Sequence, residues 1–172
     1  MVQPAYYPDN ISTLFNKHIN SKQASHEKKH VLLVEIRSPD KQQLTCILKT
    51  LGYIPVEIIN ADNNESRILK ISKSCLIIVD AKSYDQGVLK SVNDAQSAIF
   101  SQPVLHRPVL SLLGFNNRNK HELYSLGAFD YISCPIIPQE LTFRIAHALS
   151  YFEATQALYA HILFSKARQK AA

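Results

Sequence analysis

Ser74-Cys75-Leu76-Ile77-Ile78-Val79-Asp80 is an apolar, β-branched run of strand length that ends abruptly in a carboxylate. A run of this kind, apolar without alternation, reads as a strand buried on both faces, the condition of a parallel sheet with helices on either side. In such sheets the chemistry gathers where the strands end, at their carboxyl edge. Asp80 stands at that edge. What the other strands bring beside it decides what the molecule can do.

Upstream, His30-Val31-Leu32-Leu33-Val34-Glu35 is another buried strand. Ser38-Pro39 then offers a helix cap with proline at the first helical position. The helix that follows repeats Leu44, Ile47, Leu48 and Leu51 at helical spacing, and Gly52 ends it. Residues 53–59 form a second strand whose Pro55 points to a sheet edge, and residues 61–71 a weaker helix leading into the central strand. Downstream, residues 84–100 carry Val88, Val92, Ala95 and Ile99 on one helical side. A fourth strand spans 107–113, a short helix spans 118–126 and is closed by Gly127, and a fifth strand spans 131–133. Pro138 opens a last helix with no breaker after it. Strand and helix alternate five times. That implies a parallel α/β sheet with helices on both faces and leaves several such folds open. With the strand-end spacings below, the expected fold is a flavodoxin-like (βα)5 three-layer sandwich, sheet order 2-1-3-4-5, with an extended C-terminal helix.

The 172 residues fit one domain with a full core plus extensions. Residues 1–29 read as an N-terminal arm with a short helix, capped by Asp9 or Asn10, that shows Ile11, Leu14, Phe15 and Ile19 on one face. Residues 30–150 form the domain proper and 151–172 a helical extension. Cys46, Cys75 and Cys134 are odd in number and far apart, which argues against a disulfide framework or a zinc site. The net charge of +5 draws on two basic clusters, at 18–30 and 166–170. No aromatic interleaving or DNA-reading motif accompanies them, so solvated tails are expected rather than a nucleic-acid surface. No run has the length of a membrane span, and a soluble cytoplasmic protein is expected.

The residues at the strand ends narrow the fold. Leu32-Leu33-Val34-Glu35-Ile36, then Leu51-Gly52-Tyr53, then Leu76-Ile77-Ile78-Val79-Asp80 resemble a response-regulator receiver domain. Pro108-Val109-Leu110 and Leu126-Gly127-Ala128-Phe129-Asp130-Tyr131-Ile132-Ser133-Cys134-Pro135 extend the resemblance over about residues 30–150. It implies that Asp80 is the phosphoacceptor position and Tyr131 the mobile switch aromatic. It also implies a cis peptide bond before Pro135. The family's two adjacent acids, which hold Mg²⁺, fall on Glu35 and Ile36. Its phosphoryl-binding threonine or serine falls on Leu113, and its lysine falls on Cys134.

Those departures bear on the chemistry. Phosphoryl transfer to a carboxylate depends on metal and cationic groups to offset developing negative charge. Magnesium requires hard oxygen ligands, and isoleucine supplies none. A thiol cannot replace the three charged donors of a lysine. The resemblance therefore implies an atypical, pseudo-receiver module with no metal site and no cofactor, Mg²⁺ included. Its expected action is protein–protein interaction, as the regulatory part of a bacterial, transcription-controlling, two-component-type regulator. The alternative is a genuine phosphoacceptor that uses Asp80 in a degenerate pocket. Enzymatic activity is not expected, since no nucleophile–base pair or phosphate-cradling glycine loop occurs. On the last helix, Ile145, Leu149, Phe152, Tyr159 and Leu163 follow a four-and-three spacing that resembles a coiled-coil seam. A homodimer through that helix is expected, with an attached or separate output domain as a further partner.

Overall fold

In the computed structural model, which describes residues 29–37, 40–58, 62–80, 86–114 and 120–170, the central run is β3 (Ser74–Asp80). The sheet grows from it on both sides. β1 (His30–Val34) and β4 (Val109–Leu113) flank it, β2 (Ile54–Ile58) lies outside β1, and β5 (Asp130–Ser133) lies outside β4. The order is β2-β1-β3-β4-β5, as expected, and every pairing is parallel. In register, Leu32 faces Ile77 and Asp80 faces Leu112.

Alternate residues of these strands feed two cores. Leu33, Ile78, Leu110 and Ile132 meet α1 (Asp40–Thr50), through Leu44 and Leu48, and α5 (Pro138–Lys170), through Leu141, Ile145 and Leu149. Leu32, Ile77, Val79 and Val109 point the other way. They meet Ile71 of α2 (Asn64–Lys73), Leu89 and Val92 of α3 (Gln86–Ile99), and Leu123 of α4 (Lys120–Ser125). Each fully buried Leu or Ile contributes roughly 1.5–3 kcal/mol, so the strands that fill both layers hold the sheet.

Local details move some boundaries. The second helix begins three residues later than its pattern suggested, at Asn64. Asn63 caps it, its side-chain oxygen accepting from the Ser66 N–H at 2.8 Å, a role Asn commonly takes at a helix start. The fourth strand begins at Val109, because a 3-10 turn at Pro103–Leu105 carries the chain up to Arg107-Pro108. Ser38, Pro39 and the arm with Ile11, Leu14, Phe15 and Ile19 lie outside the described residues. The last helix is continuous over 33 residues. Phe152 is its final buried residue, and beyond it each described side chain is exposed or half-buried.

Two glycines adopt left-handed backbone at helix ends, Gly52 (φ 85°) and Gly127 (φ 89°). At Gly52 a Cβ would meet nothing within 4 Å. At Gly127 it would lie 2.5 Å from Asn93 Nδ2, whose amide donates to the Leu126 carbonyl. Gly52→Ala should thus lose only the backbone preference, about 1–2 kcal/mol. Gly127→Ala should lose that plus the cost of displacing Asn93, about 2–4 kcal/mol in all. Urea unfolding of the two variants checks the order.

Candidate functional site

The carboxyl ends of β1, β3, β4 and β5 converge, and the residues expected at the site come from them. Asp80 is the last residue of β3 and only 5% exposed. Glu35 follows β1 with φ 55°, a left-handed conformation uncommon outside glycine and concentrated at functional turns, and it is exposed. Ile36 is buried and belongs to the same apolar cluster as Leu44, Ile136 and Leu141. Its side chain is thus committed to the core between α1 and α5. Leu113, at the end of β4, is buried in the opposite cluster. Cys134 is half-buried; its N–H donates to the Leu113 carbonyl at 2.9 Å, and the Cys134–Pro135 bond is cis, as the resemblance implied. Gln43 ties α1 to this turn by donating to the Ile136 carbonyl at 2.9 Å.

This donor set does not fit magnesium. One carboxylate is buried at a strand end, another is exposed on a left-handed turn, and the position between them is core hydrocarbon. Among the described residues no group of three or more His, Cys, Asp or Glu is arranged to hold a metal ion.

Tyr131 packs against the second core cluster and sits under the Arg144 guanidinium, 4.8 Å from the ring centre. Arg144 is itself held by Asp130 at 2.6 Å and Glu140 at 2.9 Å. Burial pulls its pKa down, but the hydrogen bonds to the two carboxylates outweigh that and raise it. A cation held over the ring fixes Tyr131 in place. Sequence reading missed Arg144, although Glu140 and Arg144 at i, i+4 on one helix gave a signal.

The expected seam on α5 divides. Ile145 and Leu149 are core residues of this chain's own domain, and Phe152 is 9% exposed. Ile145 and Leu149 cover the sheet and Phe152 is buried beneath Arg107, so the three are corrected from partner-facing to buried within this chain. Tyr159 is half-buried and Leu163 is exposed. The large apolar side chains that α5 leaves exposed include Phe143, Tyr151, Leu158 and Ile162, a stripe on another side of the helix.

At the amino edge of the sheet, Arg107 is sandwiched between the rings of Phe100 (4.9 Å) and Phe152 (5.1 Å) and donates to the Ser72 carbonyl at 3.3 Å. The buried Gln96 amide closes on the Arg107 backbone. A cavity of about 420 Å³ lined by Asn93, Gln96, His106 and Gly127 lies at this edge, opposite Asp80. Two half-buried acids, Tyr53 and Cys75, pack against the other core cluster. Burial, with Cys75 and Glu153 adding, pushes the Tyr53 phenol up to about 12. Burial also pushes the Cys75 thiol up to about 11 against the pull of Lys29.

No protein-family model matches the chain, and no curated protein does. Solved structures do. NtrX from Brucella abortus superposes with a TM-score of 0.62 at 17% identity, over 78% of this chain and 29% of that one. A signal receiver domain from Vibrio parahaemolyticus gives 0.58 at 24% identity, covering 77% of this chain and 98% of its own. A response regulator receiver domain protein from Clostridium thermocellum gives 0.55 at 18%, covering 73% and 98%. The fold is that of response-regulator receiver domains. The chain spans less than a third of NtrX, so the likeness concerns one domain of that larger protein. No helix among the described residues is long and apolar enough to cross a membrane.

The raised pKa values of Cys75 and Tyr53 set the alkaline behaviour. Both groups hold their protons more tightly folded than unfolded, where thiols titrate near about 8.5 and phenols near about 10. The stability they contribute is complete below the unfolded values and is lost as pH rises through about 11 and about 12. The urea midpoint should therefore fall above about pH 9, and Cys75→Ala should remove the earlier part of that decline.

Proposed function

We propose that this chain is a receiver-fold interaction module that works without conventional Mg²⁺-dependent phosphorylation of Asp80. The observation that carries this is the burial of Ile36. Where the receiver pattern has a metal-holding acid, this chain has a side chain packed among Leu44, Ile136 and Leu141. Leu113, buried at 3% exposure, and the half-buried thiol of Cys134 support the same reading, since neither offers a phosphoryl group a cation. Tyr131 beneath Arg144 suits a fixed surface better than one that moves with the charge at Asp80.

With the switch site closed by hydrocarbon, the function falls to surfaces, and the exposed side of α5 is the foremost. Phe143, Tyr151, Leu158 and Ile162 are between 40% and 62% exposed. An apolar stripe of that extent on one helix marks a docking site. The partner proposed is a second copy of this chain, paired through α5, in a non-enzymatic, cytoplasmic, transcription-linked regulator with an attached or separate output domain. This is the homodimer expected from the sequence, with its contact moved from Ile145, Leu149 and Phe152 to the exposed stripe.

Mg²⁺ with beryllofluoride, a phosphoryl mimic, tests the first part. Amide resonances near Asp80 and Tyr131 should stay in place. Saturable shifts there, lost in Asp80→Asn, would establish the chain as a phosphoacceptor instead.

Sedimentation tests the second part. Tyr151→Glu with Leu158→Glu should convert a dimer to a folded monomer. A parent chain already monomeric at concentrations on the order of tens of micromolar, roughly 6–7 kcal/mol of association free energy, would dispose of the pairing.

A further inference from the structure

The cavity at the amino edge of the sheet serves neither Asp80 nor the exposed stripe of α5. Its volume of about 420 Å³ falls within the range of small-molecule sites. It lies where α3, the 3-10 turn, the start of β4 and the turn before β5 meet.

Two of its polar residues are spent on the fold. Gln96 is fully buried and uses both ends of its amide on Arg107, donating to the backbone carbonyl and accepting from the N–H. The Arg107 guanidinium is committed to the Ser72 carbonyl and to the rings of Phe100 and Phe152. Two others keep hydrogen-bonding capacity. Asn93 donates its amide nitrogen to the Leu126 carbonyl, and its Oδ1 accepts from no group among the described residues. A Cβ at Gly127 would collide with this amide, so glycine there leaves Asn93 uncovered. His106 is half-buried with its ring against Phe100, 6.2 Å between centres, and neither ring nitrogen is hydrogen-bonded among the described residues. Burial pulls its pKa below the usual histidine range. Near pH 7 it is therefore neutral, with one nitrogen donating and the other accepting.

The remaining walls are flat and apolar, supplied by Pro103, Pro108 and Phe129. No carboxylate lines the cavity among the described residues, so a cation finds no counter-charge there. An anion meets a neutral imidazole and a guanidinium already engaged. Asn93 and Phe100, against which His106 rests, are about 10 Å apart along α3, room for one two-ring molecule between them.

We infer that this cavity binds a neutral, planar heterocycle of the nucleobase class, its rings against Phe129 and the two prolines. An N–H of the ligand donates to Asn93 Oδ1, and its other polar edge pairs with the His106 imidazole. The site shares no residue with Phe143, Tyr151, Leu158 and Ile162, so it stands whether or not α5 pairs with a second copy.

Amide NMR titration of the full-length chain tests this with three probes: adenine, caffeine and adenosine monophosphate. Adenine should shift the resonances of Asn93, His106 and Gly127 saturably, with a Kd below about 1 mM. Caffeine has the flat rings without an N–H donor and should bind roughly tenfold more weakly. Adenosine monophosphate should bind no tighter than adenine. His106→Phe keeps a ring against Phe100 and removes both nitrogens; it should weaken adenine roughly tenfold in a chain whose other resonances are unmoved. Asn93→Leu should do the same, with its folding checked by the same spectrum. Absence of saturable shifts with adenine up to its solubility limit overturns the inference. So does caffeine binding as tightly as adenine, or an adenine affinity that both substitutions leave unchanged. Tighter binding of adenosine monophosphate than of adenine would make this a phosphate site and overturns it equally.

Discussion

The structure depends on a strand that has no wet face. Because β3 is buried on both sides, helices must cover each layer, and the neighbouring strands must run parallel to it through crossovers. Leu76 and Ile78 anchor one core while Ile77 and Val79 anchor the other. The chain's one route out of this hydrocarbon is its carboxyl edge. Asp80 is therefore held at the boundary between a dry interior and the loops, whatever chemistry surrounds it.

What surrounds it is an extension of the core. Ile36, Leu113 and Cys134 carry the apolar character of the two layers up to the strand ends. In a low-dielectric rim of this kind, a second negative charge on Asp80 would need compensation that these side chains do not provide. Ile36 packs with Leu141 and Ile136, so α1 and the turn after β5 are fastened together at this rim. The Gln43 contact with Ile136 reinforces this closure.

Much of this could be read from the residues, since the burial pattern of a parallel sheet is written in runs of β-branched side chains. The strand order and the central position of β3 followed from such runs and from the spacing of strand ends, and the turn at Pro135 from the resemblance to receiver domains. Two features did not. A four-and-three repeat says that one side of a helix is covered, but not by what, and Ile145 and Leu149 turned out to be covered by their own sheet and Phe152 by Arg107. The pairing of Arg144 with Asp130, and of Arg107 with Phe152, joins residues from different elements. Only the fold brings them together.

The guanidinium of Arg107 sits between Phe100, at the end of α3, and Phe152, where α5 departs. A cation held over two rings is attracted to their faces without the directionality of a hydrogen bond, so this contact resists separation more than sliding and works as a bearing. Beyond it α5 continues to Lys170 as a rod of about 27 Å. A tilt of about 10° at the bearing carries the tip roughly 5 Å. A small shift in the loop between α3 and β4 is thus magnified at the far end of the last helix, on the edge of the sheet that Asp80 does not occupy.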